Sequence, residues 1–162
     1  MADTLVTQDM IARKGVWGSA RISPPVAESD IRKWAIATYW PEKPPAIYWD
    51  TEYAAGTRHG KIVAPPDFNP FAWPVDRPRA APATPTTQSA PTRRTTNLNG
   101  GQTDTFGKPM YPGDVISSRS RLKNWEERQG RMGLMLYVFS ELEWKNQHGE
   151  LVRNRISTSI RY

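Results

Sequence analysis

The chain has 162 residues, no cysteine and a formal net charge of +6 at pH 7. This length favours one domain with a sizeable core, and the missing cysteine excludes disulfides, thiolate nucleophiles and cysteine-based metal sites. No apolar run approaches the ~20 residues that span a bilayer, and the N-terminus lacks a signal peptide's apolar segment, so we expect a cytoplasmic protein without membrane contact.

The positive charge alone does not indicate a nucleic-acid partner. Basic residues are interleaved with acidic ones, as in Lys123–Arg128. No zinc-finger spacing, helix-turn-helix pattern or aromatic RNA-binding signature is present. A modest basic excess fits a phosphorylated small-molecule ligand equally well. We therefore expect no nucleic-acid partner.

The N-terminal region carries a weak structural signal. Residues 1–15 show little periodicity, which predicts a frayed or partner-contacting lead-in before a domain spanning 16–162. Val16–Ile22 is predicted to be a short strand. It ends at Ser23–Pro25 because proline cannot donate to a ladder.

The stretch Ala27–Phe68 is predicted to organise the rest of the chain, because it alone has sustained helical periodicity. Its helix is expected to be capped by Ser29 and ended by Pro41, which pushes the preceding residue out of the α region. Trp34 is predicted to be a core anchor. The face that the helix buries, by i, i+3, i+4, i+7 spacing, comprises Ile31, Trp34, Ala35 and Thr38.

A second, shorter helix is predicted at Thr51–Ala55. Asp50 is expected to cap its start and Gly56 to close it. An apolar return, Ile62–Ala64, then halts at prolines, and Phe68–Trp73 is predicted to form a short helical turn.

Residues 74–97 form a predicted long exposed connection within the domain. Their composition is dominated by Pro, Ala, Thr and Arg, which cannot bury enough apolar surface to order strongly. Its arginines fit either phosphate contacts or, more simply, a solvated linker; they are Arg77, Arg79, Arg93 and Arg94.

The remainder is predicted to be antiparallel sheet. Strands are expected at Leu98–Tyr111 and Val115–Trp125, with a bulge or close backbone approach at Gly100–Gly101. Turns at Gln129–Arg131 and Asn146–Gly149 introduce two more strands. By period two, one apolar face is predicted to comprise Met132, Leu134, Leu136, Val138, Leu142, Val152, Ile156 and Ile160, opposite Arg153, Arg155 and Arg161. One helix wrapped by this sheet indicates a single α+β domain.

The sequence contains only an incomplete set of candidate catalytic residues. Phosphate-binding, acyl-serine and zincin motifs are absent, and too few ligands are clustered to predict a metal or other cofactor. His148 lies in the predicted hairpin turn. His59 is the sole histidine candidate for a base near neutral pH, although no carboxylate is spaced to orient it.

The order of several short motifs resembles the MaoC-like dehydratases of hotdog fold, and more narrowly the FAS1-like dehydratase domain, their N-terminal type. The resemblance covers roughly Val16 to Tyr162. The motifs are Tyr48–Asp50, Glu52–Ala54, His59–Pro66, Leu98–Gln102, Tyr111–Asp114, Glu126–Gly133 and Asn146–Glu150.

The resemblance implies hydration of 2-enoyl thioesters, or dehydration of the 3-hydroxy forms, on coenzyme A or acyl carrier protein. Catalytic halves of this family carry an Asp/His pair after the hotdog helix, and here Lys43 and Tyr48 occupy those positions. A lysine cannot serve as a carboxylate, and a tyrosine with an ordinary pKa of about 10 is a poor base. The resemblance therefore implies a non-catalytic half.

Such a half pairs in this family with a catalytic hotdog subunit, and its interrupted helix leaves room for a bulky acyl tail. The leading hypothesis is an accessory subunit of a heteromeric enoyl-CoA hydratase. The alternatives are a self-sufficient homodimeric hydratase using His59 or another base, and a non-enzymatic acyl-thioester-binding or scaffold protein. The residues predicted by position to contact substrate are Tyr48, Trp49, His59, Pro66, Asn99 and Gly100.

Overall fold

The computed structural model describes residues 4–74, 96–131 and 133–162. Three short helices precede most of the sheet. The helices are α1 (Gln8–Arg13), α2 (Glu28–Tyr39) and α3 (Thr51–Ala55), with a 3-10 turn at Ala46–Tyr48; the strands are β1 (Arg21–Ile22), β2 (Asn97–Phe106), β3 (Ser117–Gly130), β4 (Gly133–Lys145) and β5 (Leu151–Arg161).

One antiparallel sheet in the order β1-β3-β4-β5-β2 wraps around α2, as the sequence predicts. Ile31 of α2 is fully buried against Ile116, Trp144 of β4 and Val152 of β5. Trp34 packs against the edge of this core rather than inside it, and its Nε1 donates to Asp67. The helix-facing side of the sheet is called the inner face below.

Helix α2 starts two residues earlier than predicted, so the expected cap at Ser29 is wrong. Its N-cap is Ala27, which supplies no side-chain hydrogen bond. Backbone bonds between Val26 and the 113–114 turn hold the chain extended up to that point, and the helix begins directly afterwards. Tertiary contacts thus override side-chain capping preference. Thr38, predicted on the buried face, is exposed and bonds to the Trp34 carbonyl.

The predicted short helix α3 is confirmed in its bounds and caps. Asp50 accepts a hydrogen bond from the Tyr53 amide, and Gly56 closes the helix with its backbone N–H. The predicted end of α2 is also confirmed, since the helix stops at Tyr39, just before Pro41. Residues 66–67 and 70–71 form turns, not the helical turn predicted at Phe68–Trp73.

The N-terminal region is more ordered than its sequence suggests. Thr7 caps α1 and accepts a hydrogen bond from the Met10 amide. Met10 is buried against Leu136 and Val138, so the helix forms a second small core on the inner face. The predicted strand Val16–Ile22 shrinks to Arg21–Ile22, because only these residues pair continuously with β3.

The predicted bulge at Gly100–Gly101 is confirmed by a register shift between Asn99 and Gln102 in β2. Gly101 has a φ of 96°, a backbone conformation that favours glycine. Strand β2 ends at Phe106 instead of Tyr111, and β3 extends to Gly130.

The predicted alternation of β5 is wrong at its most informative positions. Arg153 pairs with Trp144 and Arg155 pairs with Leu142, so both arginines share the inner face with these apolar residues. Ile156 pairs with Glu141 and lies on the opposite, outer face. A register shift after Trp144 places one extra residue, Val152, in β5 and exchanges the faces.

Two other sequence predictions lie outside the described residues. The connection predicted at 74–97 falls mostly on residues 75–95, and Met132 of the predicted apolar face is likewise not described.

Candidate functional site

A cavity of about 340 Å³ opens between the 3-10 turn, the 58–66 segment, the 106–110 loop and the start of β5. Its walls are mostly apolar, and the volume falls in the range of small-molecule sites. The apolar lining includes Ile47, Val63, Ala64, Pro65, Met110 and Val152. The polar lining comprises Tyr48, Arg58, His59, Lys108 and Arg153, with no aspartate or glutamate among the described lining residues.

Backbone hydrogen bonds between distant segments hold these walls in place. The Ala64 amide donates to the Met110 carbonyl at 2.9 Å, which joins the two loops that face each other across the cavity. The Gly107 amide donates to the Val152 carbonyl at 3.0 Å and ties the second loop to β5. An added Cβ at Gly107 would meet a backbone oxygen at 2.1 Å, so this close approach requires glycine.

Tyr48 reaches the cavity from the 3-10 turn as a protonated phenol. Burial raises its pKa to about 12, and the neighbouring Tyr39 hydroxyl and Asp67 carboxylate act in the same direction. The Tyr39 and Tyr48 rings are 6.0 Å apart. At neutral pH this side chain donates hydrogen bonds and does not act as a base.

Lys43, at the other position implied for the dyad, does not line the cavity. It lies exposed before the 3-10 turn, with Nζ 4.6 Å from the centroid of the Trp49 ring. Trp49 is fixed by its Nε1, which donates to the Pro44 carbonyl at 3.0 Å. Lys43 and Tyr48 therefore form no acid–base pair.

His59 lies at the cavity, but both of its ring nitrogens are engaged. Arg58 Nε donates to His59 Nε2 at 3.2 Å. Because Nε2 accepts, the ring proton sits on Nδ1 and is donated to Tyr111 Oη, 3.0 Å away. Within the described residues no carboxylate hydrogen-bonds to the ring. This environment differs from the carboxylate-oriented histidine that acid–base catalysis uses.

Sequence reasoning did not identify Arg153 as a cavity residue. Its guanidinium donates from Nε and Nη2 to Asp104 at 3.1 and 2.8 Å. Arg155 donates to the same carboxylate at 2.7 and 2.9 Å. The hydrogen bond from Arg155 is the largest cause, and that from Arg153 the next, of an Asp104 pKa that lies far below its usual range. The Arg-x-Arg spacing was visible in the sequence, but the bulge that turns both arginines inward was not.

The six residues predicted by position to contact substrate lie in three places. The structure brings Tyr48, His59 and Pro66 together at the cavity. Trp49 lies in a separate depression beside α2, and Asn99 in a shallow one on the sheet. Gly100 lies beside Asn99 in the bulge of β2 and faces Thr158.

Within 4–74, 96–131 and 133–162, no group of three or more His, Asp or Glu side chains is arranged to hold a metal ion. In the same ranges, no helix has the length and apolar character needed to cross a membrane.

Comparison with solved structures identifies the fold. The chain is similar to a chain of the ChsH1–ChsH2 complex from Mycobacterium tuberculosis, with a TM-score of 0.71, 16% identity and coverage of 96% of this chain and 90% of that one. It is also similar to a MaoC-like dehydratase from Rhodospirillum rubrum, with a TM-score of 0.57, 16% identity and coverage of 90% and 91%.

A third similar structure is the C-terminally truncated HadBC complex, a 3R-hydroxyacyl-ACP dehydratase from Mycobacterium tuberculosis. Here the TM-score is 0.54 at 17% identity, with coverage of 90% of this chain and 96% of that one. The search of curated proteins found no match. Residues 12–155 match the family described as the FAS1-like dehydratase domain region. The chain therefore belongs to the FAS1-like dehydratase family and has the hotdog fold.

Proposed function

We propose that this chain is the accessory, non-catalytic subunit of a heteromeric MaoC-type 2-enoyl-CoA hydratase or 3-hydroxyacyl-CoA dehydratase that acts on a bulky acyl thioester. The observation that carries the proposal is the chemistry of the cavity. Its described lining has no carboxylate, Tyr48 is a protonated phenol, and the His59 Nε2 lone pair accepts from Arg58. Hydration needs a base that takes a proton while an oxyanion develops.

The open edge of the sheet supports a protein partner. Among the described residues, β2 pairs with β5 alone, so its other edge is free over ten residues. Leu98 and Phe106 are exposed on this strand. Exposed edge strands are commonly covered by another chain. Phe106 also lines the cavity, so a subunit added at this edge would border the cavity and complete it.

The interrupted helix supports a bulky acyl group. Helix α2 ends at Tyr39, and the chain from Trp40 to Pro45 is not helical. The 3-10 turn that follows this break supplies Ile47 and Tyr48 to the cavity wall. A longer helix would occupy space that the acyl tail can use.

The test is co-expression with a MaoC-type subunit that carries the Asp/His dyad, in the cytoplasm where we expect both proteins. Hydration of bulky 2-enoyl-CoA substrates is then measured for each chain alone and for the purified pair. The proposal predicts no activity from this chain alone and a gain in rate from the complex. Activity of this chain alone, lost on His59→Ala, would instead establish a self-sufficient hydratase.

The apolar, acid-free cavity also favours a second candidate, a non-enzymatic acyl-thioester-binding or scaffold protein. The same experiment separates the two. Tight binding of the thioester with no stable complex and no gain in rate would support the binding protein and reject the accessory subunit.

A further inference from the structure

The charge on the cavity wall is one-sided. Three cationic side chains line the cavity, Arg58, Lys108 and Arg153, and no acidic side chain joins them among the described lining residues. Arg58 directs its Nε to an uncharged acceptor, the His59 ring. Lys108 meets Glu150 at 3.7 Å, but both side chains are largely exposed, so this pair neutralises little of its charge inside the cavity.

Arg153 is the cation inside the wall, since its side chain is only 8% exposed. Its guanidinium carbon lies 5.4 Å from the centroid of the Phe106 ring and 5.2 Å from that of Trp144. The single carboxylate of Asp104 is shared between Arg153 and Arg155. These three side chains together therefore carry one uncompensated positive charge.

Part of the Arg153 guanidinium remains available. Nε and Nη2 donate to Asp104, whereas Nη1 makes no hydrogen bond to any described residue. Arg153 itself is one of the residues that line the cavity.

We propose that the cavity takes an apolar group bearing a compact anion, a carboxylate or a phosphate, and that Arg153 binds this anion. A planar guanidinium matches both anions, and an ion pair in a largely apolar site is stronger than the same pair in water. The inference rests on the proposed function in that it takes the ligand to be part of an acyl thioester. The anion then belongs either to the far end of the acyl group or to the phosphate of the carrier.

Matched probes separate these sources by titration calorimetry on the full chain at constant salt. Octanoate and octanol have the same apolar body and differ in charge; phosphopantetheine and pantetheine differ by one phosphate. The proposal predicts at least about tenfold tighter binding of the anion in one pair, the scale of a hydrogen bond to a charged group. Preference in the first pair assigns the anion to the acyl group, and preference in the second assigns it to the carrier.

Variants show whether Arg153 is responsible. Arg153→Met is expected to abolish the preference, while Lys33→Gln, which removes an exposed charge on α2, keeps it. Asp104→Asn removes the competing carboxylate and is expected to tighten anion binding, an effect that a purely structural ion pair would not produce. If Arg153→Met does not fold, Lys108→Gln at the exposed rim is expected to weaken the preference severalfold.

Equal affinity within both pairs overturns the inference, as does a preference that survives both Arg153→Met and Lys108→Gln. Failure of the proposed function would be recognised separately, because the hydration assay with the partner subunit does not depend on these probes.

Discussion

The two faces of the sheet carry similar charge clusters in different surroundings. On the outer face, Glu143 meets Arg119 and Lys145, at 2.7 and 3.2 Å. On the inner face, Asp104 meets Arg153 and Arg155, at 2.8 and 2.7 Å. Each carboxylate thus holds two cations, and each carboxylate side chain is 16% exposed.

The difference lies in the cations. The side chains of Arg119 and Lys145 are 39% and 34% exposed, so water solvates the positive charge that Glu143 does not neutralise. Arg153 is 8% exposed and borders a cavity of mostly apolar walls. The same ratio of two cations to one carboxylate therefore gives a solvated structural cluster on the outer face, whereas on the inner face it leaves one positive charge beside the cavity. Burial, more than the number of charges, distinguishes the two clusters.

Removal of the inner carboxylate is expected to have the largest effect on stability. Asp104→Ala leaves two guanidinium groups, one of them buried, without a counter-charge, and we expect the free energy of unfolding to fall by about 3 kcal/mol. Urea denaturation followed by circular dichroism measures this loss. The matched outer-face control, Glu143→Ala, is expected to cost about 1 kcal/mol, because its two partner cations are exposed and can be solvated by water. Equal losses for the two variants would contradict the comparison.

Acid titration sharpens the same comparison. The pKa of Asp104 is lower in the folded protein than in the unfolded chain, so its stabilising contribution is complete above the ordinary value of about 3.9 and is lost as pH falls through the lower folded value. The difference in unfolding free energy between wild type and Asp104→Asn is therefore expected to be constant near neutrality and to shrink only below about pH 4.

Glu143 provides the outer-face reference in acid. Burial alone would raise its pKa, but hydrogen bonds from Arg119 and Lys145 lower it overall. We expect the stability difference for Glu143→Gln to shrink at a higher pH than that for Asp104→Asn. The reverse order would show that the outer-face cations stabilise their carboxylate more strongly than the inner-face arginines stabilise Asp104.

Alkaline titration probes the cavity wall away from the arginines. The folded pKa of Tyr48 is about 12, above its ordinary value of 10.0, so the stability it contributes is complete below about pH 10 and is lost as pH rises toward 12. After allowance for partial exposure, we expect wild type to lose about 1 kcal/mol more than Tyr48→Phe over this interval. A tyrosinate absorbance titration that shows all tyrosines ionising near pH 10 would refute the assignment.

The smallest effect is expected at the cavity rim. Arg58 is exposed and its hydrogen bond to His59 lies at the surface, so Arg58→Ala should change the free energy of unfolding by less than about 0.5 kcal/mol. Thermal denaturation measures this change. A loss comparable to that of Asp104→Ala would mean that the rim, like the inner cluster, supports the fold.

Local signals in the sequence predicted much of the fold. Asp50 and Gly56 bracket α3 because their capping preferences act within a few residues, and the Gly100–Gly101 bulge follows from conformational freedom that glycine alone has. Ser29 failed as a cap because backbone bonds from Val26 to the distant 113–114 turn determine where α2 begins. Long-range contacts of this kind leave no mark in local sequence.

The inner cluster shows why the site was only partly predictable. Asp104 and Arg153 are separated by 49 positions, and nothing near either residue indicates the other. Strict alternation assigned Arg153 and Arg155 to the solvent side, and a single extra residue at Val152 reverses that assignment. Tyr48, His59 and Pro66 were predicted near the substrate from their positions in the sequence, and all three line the cavity. The uncompensated charge at Arg153 could be recognised only once the strand register was known.

The most direct test of the central claim, that this chain shapes the site while its partner performs the chemistry, is the hydration rate of the assembled heteromer. This chain would carry both Tyr48→Phe and His59→Ala, and in a second preparation the partner would lose its dyad histidine. We predict that the first complex keeps its kcat within severalfold, with any loss in KM, and that the second is inactive. A fall in kcat of about 100-fold or more in the first complex, the scale of general acid–base catalysis, would contradict the account.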